Sequence, residues 1–138
     1  MTERESRRAI GMRVRREVLG DAHVDRAVAG TTPLSARLQE LITEVAWGEV
    51  WSGPELDRKT RSTITVAVLA ALGQEAELAL HVRGALRNGL TAEEISAVLV
   101  HTSIYAGIPA ARGAIAVAER VLDEVAREEA SRSEGSPT

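Results

Sequence analysis

Apolar positions along the chain recur at intervals of three and four residues between glycine and proline stops, with no convincing two-residue alternation of a half-buried strand. The pattern predicts about six helices. Thr2 and Glu5 have the spacing of a capping box before a first helix that Gly20 can close. Asp21 to Gly30 reads as a short connector with at most one helical turn. A second helix starts near Ser35 and carries Leu38, Leu41, Ile42, Val45 and Trp47 or Gly48 at amphipathic spacing up to the stop Ser52-Gly53-Pro54. Asp57 can cap a third helix, whose stretch Ile64 to Leu72 is apolar nearly all round and therefore expected to be buried on most sides. A fourth runs from about Glu75 to Asn88, and a second capping box, Thr91 with Glu94, opens a fifth that reaches Tyr105. After the break at Gly107 and Pro109, the last helix spans about Ala110 to Ala130. The expectation is an all-α, single-domain helical bundle over residues 1–130, followed by a disordered polar tail over 131–138. A helix apolar all round needs more cover than one small bundle provides, so a homo-oligomer is expected.

Composition narrows the function. The chain has 138 residues, 44% apolar and 27% charged, enough for one globular core. Its 20 acidic and 17 basic residues leave a net charge of -3, which provides no positive field for nucleic acid. Without cysteine there is no disulfide, thiolate metal site or thiol redox chemistry. The longest apolar run, Val66 to Leu72, is far below the roughly 18 residues of a membrane span. No apolar stretch resembles a secretory signal near the N-terminus, so a soluble, cytoplasmic protein is expected. Phenylalanine is absent, and Trp47, Trp51 and Tyr105 are the only aromatics. The core must be aliphatic.

Several positions can carry chemistry. Glu77 and His81 stand at i, i+4 on the fourth helix, where a carboxylate can favour and orient a protonated imidazole. The alternative is a solvated pair worth a few tenths of a kcal/mol. The run Arg58-Lys59-Thr60-Arg61-Ser62 sets arginines at a helix start, against the preference of the helix dipole, which points to Arg61 as a carboxylate receptor; the alternative is a charged, solvated first turn. Trp47 and Trp51 share a face beside Gly48, as pocket wall or as core or interface aromatics. His23 lies in the predicted connector, where functional side chains often sit. His101 reads as a core or interface histidine. Three histidines without ligand spacing argue against a metal, and no phosphate loop, dinucleotide fingerprint or nucleophile elbow points to a cofactor.

Five strings add a resemblance. Residues 12–26, Ala46-Trp47-Gly48-Glu49-Val50-Trp51, Thr60-Arg61-Ser62-Thr63-Ile64-Thr65, Leu80-His81-Val82-Arg83-Gly84-Ala85 and residues 104–111 together resemble the carboxymuconolactone decarboxylase family, over residues 8–126. The wider superfamily includes alkylhydroperoxidase D-like proteins with a C-x-x-C-x-x-x-H motif. Placing His81 on that histidine sets Gln74 and Glu77 at the cysteine positions, so peroxidase chemistry is excluded and decarboxylation remains. The resemblance implies cofactor-independent loss of CO2 from 4-carboxymuconolactone, giving β-ketoadipate enol-lactone in protocatechuate catabolism. It implies a hexamer or trimer, with a lactone dicarboxylate as the small-molecule partner. His81 backed by Glu77 is then the proton donor or dienolate stabiliser, Arg61 and Arg83 bind carboxylates, and Trp47 and His23 line the pocket. Two other readings stay open: a non-catalytic helical oligomer that binds a small acid, and a paralogous decarboxylase for another lactone.

Overall fold

The computed structural model describes residues 5–135, which contain no strand. Helices α1 (Arg7–Leu19), α2 (Asp21–Ala29) and α3 (Ala36–Leu41) come first, and α3 runs directly into a π-helix (Ile42–Trp51). Helices α4 (Arg58–Ala71), α5 (Glu75–Arg87), α6 (Ala92–Ala106) and α7 (Ile108–Glu134) complete the order. They gather into two compact units that divide between Arg61 and Ser62, within α4.

In the first unit, α1 starts at Ser6, whose hydroxyl accepts the Ala9 N–H at 3.1 Å. The expected cap Thr2 lies outside the described residues, and Glu5, expected within the helix, precedes it and pairs with Arg13. The connector expected at Asp21 to Gly30 is instead the nine-residue α2. Gly20 has φ +88°, a conformation only glycine adopts readily, so the chain turns from one helix into the next without a loop. Arg16 then ties the two helices, pairing with Asp21 at 3.1 Å and Asp25 at 2.9 Å. The helix expected from Ser35 keeps α-helical winding only to Leu41. Beyond it the winding is i→i+5, with Thr43 and Trp47 buried and Val45 exposed; Leu38 and Leu41 of α3, expected inside, are exposed as well.

The second unit has the expected aliphatic interior. Val66 and Ala70 of α4 meet Leu78, Val82 and Ala85 of α5, Ile95 and Leu99 of α6, and the stripe Ala114, Val117, Ala118 and Val121 of α7. Helix α7 packs along both α5 and α6, and alanines at the contacts let these backbones come close. Asp57 caps α4 as expected, accepting the Thr60 N–H at 2.7 Å. Ile64 to Leu72, however, is not buried on most sides. Ile64 and Val68 are each 48% exposed and Leu72 is 66% exposed, because α4 covers only its Val66 and Ala70 side. Helix α7 begins at Ile108, directly after Gly107, and residues 131–134 continue it past Ala130; residues 136–138 lie outside the described residues.

The second capping box forms in full: Thr91 Oγ1 accepts the Glu94 N–H at 3.0 Å, and Glu94 Oε1 accepts the Thr91 N–H at 3.1 Å. Thr91→Ala should therefore destabilise the protein by about 1 kcal/mol in urea unfolding, with an unchanged m-value. An unchanged midpoint would show that the box contributes nothing to α6.

Candidate active site

Helix α5 carries three of the expected site residues, Glu77, His81 and Arg83. His81 lies on the buried stripe of this helix between Leu78 and Val82, with only 7% of its surface exposed. Glu77 is one turn earlier and ends in solvent. Their spacing puts them on one face of the helix. As a carboxylate in the first turn of α5, Glu77 is also placed to favour the helix dipole, alongside Glu75.

Arg83, two residues on, faces α7. Its guanidinium donates to both oxygens of Glu128, at 2.9 and 3.0 Å, and to Glu124 at 3.1 Å. The bidentate pair holds the Glu128 carboxyl below its ordinary range and raises Arg83. Burial, with the neighbouring charge of Arg83, lowers Arg87. The fork expected to bind substrate thus ties α5 to α7. At the end of α5, Asn88 donates to the fully buried Ser62 hydroxyl at 2.8 Å.

The remaining candidates belong to the first unit. Arg61 braces the loop before α4, donating from Nε to the Leu56 carbonyl at 3.2 Å and from Nη2 to the Gly53 carbonyl at 3.1 Å, with Glu55 at 3.4 Å. Trp47 is buried and stacks on Trp51, with ring centroids 4.9 Å apart and planes at 27°. His23 is half-buried on α2 and not on a connector. His101, expected in a core or interface, is exposed in this chain and leans on Tyr105 at 5.4 Å.

A further buried charge in the first unit, not among the expected site residues, is Arg15. It occupies the buried stripe Gly11, Val14, Arg15 and Val18 of α1, and donates to Gln39 Oε1 at 3.2 Å beside a cleft of about 290 Å³ that Thr43 also lines. Its signal was its position: an arginine where the helical period calls for an apolar residue. Among the described residues, no group of three or more His, Asp or Glu side chains is arranged to hold a metal ion.

Comparison with known proteins decides the family. The profile of the carboxymuconolactone decarboxylase family matches residues 36–120. The chain is 45% identical to a 4-carboxymuconolactone decarboxylase of Acinetobacter baylyi, over 88% of this chain and 90% of that one. The chain belongs to the carboxymuconolactone decarboxylase family. It is also 43% identical to a nitrosuccinic acid decarboxylase of Metarhizium robertsii, over 83% of this chain and 80% of the relative. A 4-carboxymuconolactone decarboxylase of Pseudomonas putida is 51% identical over 28% of this chain and 81% of its own length. The family region runs from the start of α3 into α7 and holds Trp47, Arg61, Glu77, His81 and Arg83.

The Arg83–Glu128 pair makes a pH-dependent contribution whose sign is fixed. Glu128 has a lower pKa folded than unfolded, so its stabilisation is full above its ordinary value of 4.5 and is lost as pH falls through the depressed folded value. Glu128→Gln should be less stable than wild type in urea near pH 7, and the gap should narrow as the pH is lowered below 4.5. A gap that persists unchanged in acid would assign the effect to packing.

Proposed function

We propose that this chain catalyses cofactor-independent loss of CO2 from 4-carboxymuconolactone, giving β-ketoadipate enol-lactone. One observation carries the reading: the likeness to a decarboxylase of that name runs through nearly the whole of both chains. The substrate is an unsaturated five-membered lactone with a carboxylate on the ring carbon conjugated, through the double bond, to the lactone carbonyl. Breaking the bond to CO2 pushes its electron pair through the ring onto the carbonyl oxygen. A proton added next to the carbonyl then gives the enol-lactone. The substrate is its own electron sink, so the protein has to hold carboxylates, stabilise the developing oxyanion and deliver one proton.

Residue roles follow from these needs. His81, buried on a rigid helix, is the proton donor or dienolate stabiliser. Glu77, one turn earlier on the same helix, backs it. Arg61, oriented by the Gly53 and Leu56 carbonyls and paired with Glu55, binds one substrate carboxylate, and Arg83, paired with Glu124 and Glu128 in the unliganded chain, is the second candidate. Trp47 and His23 line the pocket. The relative named for nitrosuccinic acid fits the same chemistry, because a nitro group is also an electron sink next to a departing carboxylate. Small organic acids as substrates, and the absence of any described helix long and apolar enough to cross a membrane, support a cytoplasmic place.

The working form in this proposal is a homo-oligomer, a hexamer or trimer. Its support is an apolar groove of about 490 Å³ between α4 and α6, lined by Ile64, Val68, Ala97 and His101 and free of Asp, Glu, Lys and Arg. Ile104, 73% exposed, and Tyr105, 81% exposed, lie further along α6. A continuous apolar face of this kind marks a contact with another copy.

Two measurements test the reading. CO2 release and enol-lactone formation from 4-carboxymuconolactone, followed by NMR, should survive EDTA and dialysis, and His81→Ala should lower kcat by about 10²–10⁴. A fully active His81→Ala protein would name the wrong acid, and Glu77→Gln with an unshifted pH profile would remove Glu77 from the chemistry. Light scattering of the wild type should give several times 14.8 kDa, and Val68→Asp should lower that mass. A wild-type monomer would overturn the assembly.

A further inference from the structure

The π-helix from Ile42 to Trp51 is ten residues long, whereas such winding usually appears as a single turn inside an α-helix. Its own hydrogen bonds do not favour it, so something outside the segment must hold it in place. The contacts of α1 supply that restraint. A methyl group added at Gly11 would fall on the Thr43 carbonyl oxygen and lie 2.9 Å from the Gly48 nitrogen. Thr43 and Gly48 are i and i+5, the two partners of one π-type hydrogen bond. Helix α1 therefore rests directly on that bond. The approach is reciprocal: a methyl group added at Gly48 would fall on the Arg7 carbonyl oxygen and lie 2.8 Å from Arg7 Cγ. Arg7 and Gly11 are one turn apart on α1, so the two contacts lie on one face.

Trp47 immediately precedes Gly48. An α-helix turns about 100° per residue and a π-helix turns less, so reversion to α-helical winding would rotate Trp47 relative to Thr43. In the present register Trp47 is buried, with 4% of its surface exposed, and stacks on Trp51.

We infer that Gly11 and Gly48 are positioning residues, forming a two-glycine seat that locks the π-helical register and thereby turns Trp47 inward as a wall for the substrate ring. The register part stands on the first unit alone; the substrate part rests on the proposed role of Trp47. Neither glycine touches the reacting atoms. Each acts through the indole.

The chain contains only these two tryptophans, so its whole tryptophan signal reports the stacked pair. Gly11→Ala should keep the helical far-UV signal, lose the exciton couplet of the indoles and shift their emission to the red. Its KM for 4-carboxymuconolactone should rise about tenfold with kcat within about twofold, because uniform binding is lost and chemistry is not. A retained couplet with unshifted emission in folded Gly11→Ala would overturn the seat. A lost couplet with unchanged KM would uphold the seat and remove Trp47 from the pocket, leaving the decarboxylase reading to stand on turnover itself. The wild type gives a test that needs no variant. NMR coupling across hydrogen bonds should pair the Gly48 N–H with the Thr43 carbonyl. Pairing with the Glu44 carbonyl, the α-helical partner, would overturn the inference.

Discussion

An interior without phenylalanine has to be closed by bringing backbones together, and the close approach of helices is the constraint on which the rest of this structure depends. In the second unit, alanines on α5 and α7 and short aliphatic chains on α4 and α6 fill the space that aromatic rings take in other cores. In the first unit the approach goes further, until glycine is the only residue that fits where α1 crosses the π-helix. Packing of this kind tolerates little change of volume, since a single added methyl meets backbone and not a flexible side chain. It also gives precision. Side chains on elements that cannot slide past one another hold their positions, as a site needs.

Arginine does the long-range work that aromatic rings would otherwise share. Sixteen of the seventeen basic residues are arginines, and several of the described pairs join separate elements: Arg16 links α1 to α2, Arg58 of α4 meets Glu17 of α1 at 2.5 Å, and Arg83 links α5 to α7. A guanidinium can hold two partners in one plane, and Arg83 does so with Glu124 and Glu128. The two kinds of arginine differ in their partners: Arg83 is engaged by two carboxylates, whereas Arg61 is oriented by two backbone carbonyls and pairs with the single carboxylate of Glu55.

Much of this architecture was legible because local rules and tertiary packing agree there. Asp57 and Thr91 cap the helices that their spacing predicts, and Gly20, Gly73, Gly89 and Gly107 all have positive φ near the predicted helix ends. Legibility failed where a residue pattern has two structural solutions. Leu38, Leu41 and Val45 fit an amphipathic α-helix, but the period alone carries no trace of the α1 contact that accompanies i→i+5 winding. Asp21 to Gly30 has only Val24, Ala27 and Val28 on one face, too short a stripe for the period alone to separate a helix from a connector; in the fold Val24 is buried and Asp21 and Asp25 pair with Arg16 of α1. At the site, the spacing of Glu77 and His81 correctly set both on α5. Spacing could not reveal that one ends in solvent and the other in the core.

The first turn of α5 shows how a helix can keep its electrostatics while changing its chemistry. If His81 is set on the histidine of the C-x-x-C-x-x-x-H motif of alkylhydroperoxidase D-like proteins, Gln74 and Glu77 take the places of its two thiols. The N-terminus of a helix stabilises negative charge, which is how such a position lowers the pKa of a thiol and makes it a nucleophile. Here Gln74 stands at the cap and Glu77 in the first turn, so the same field now falls on a carboxylate that needs no activation. A carboxylate at that position cannot form a disulfide or pass electrons. The residues present offer no redox couple, but a buried imidazole with a carboxylate one turn away at the surface. That residue set suits a reaction whose electrons stay within the substrate and whose one demand on the protein's own acid is a proton.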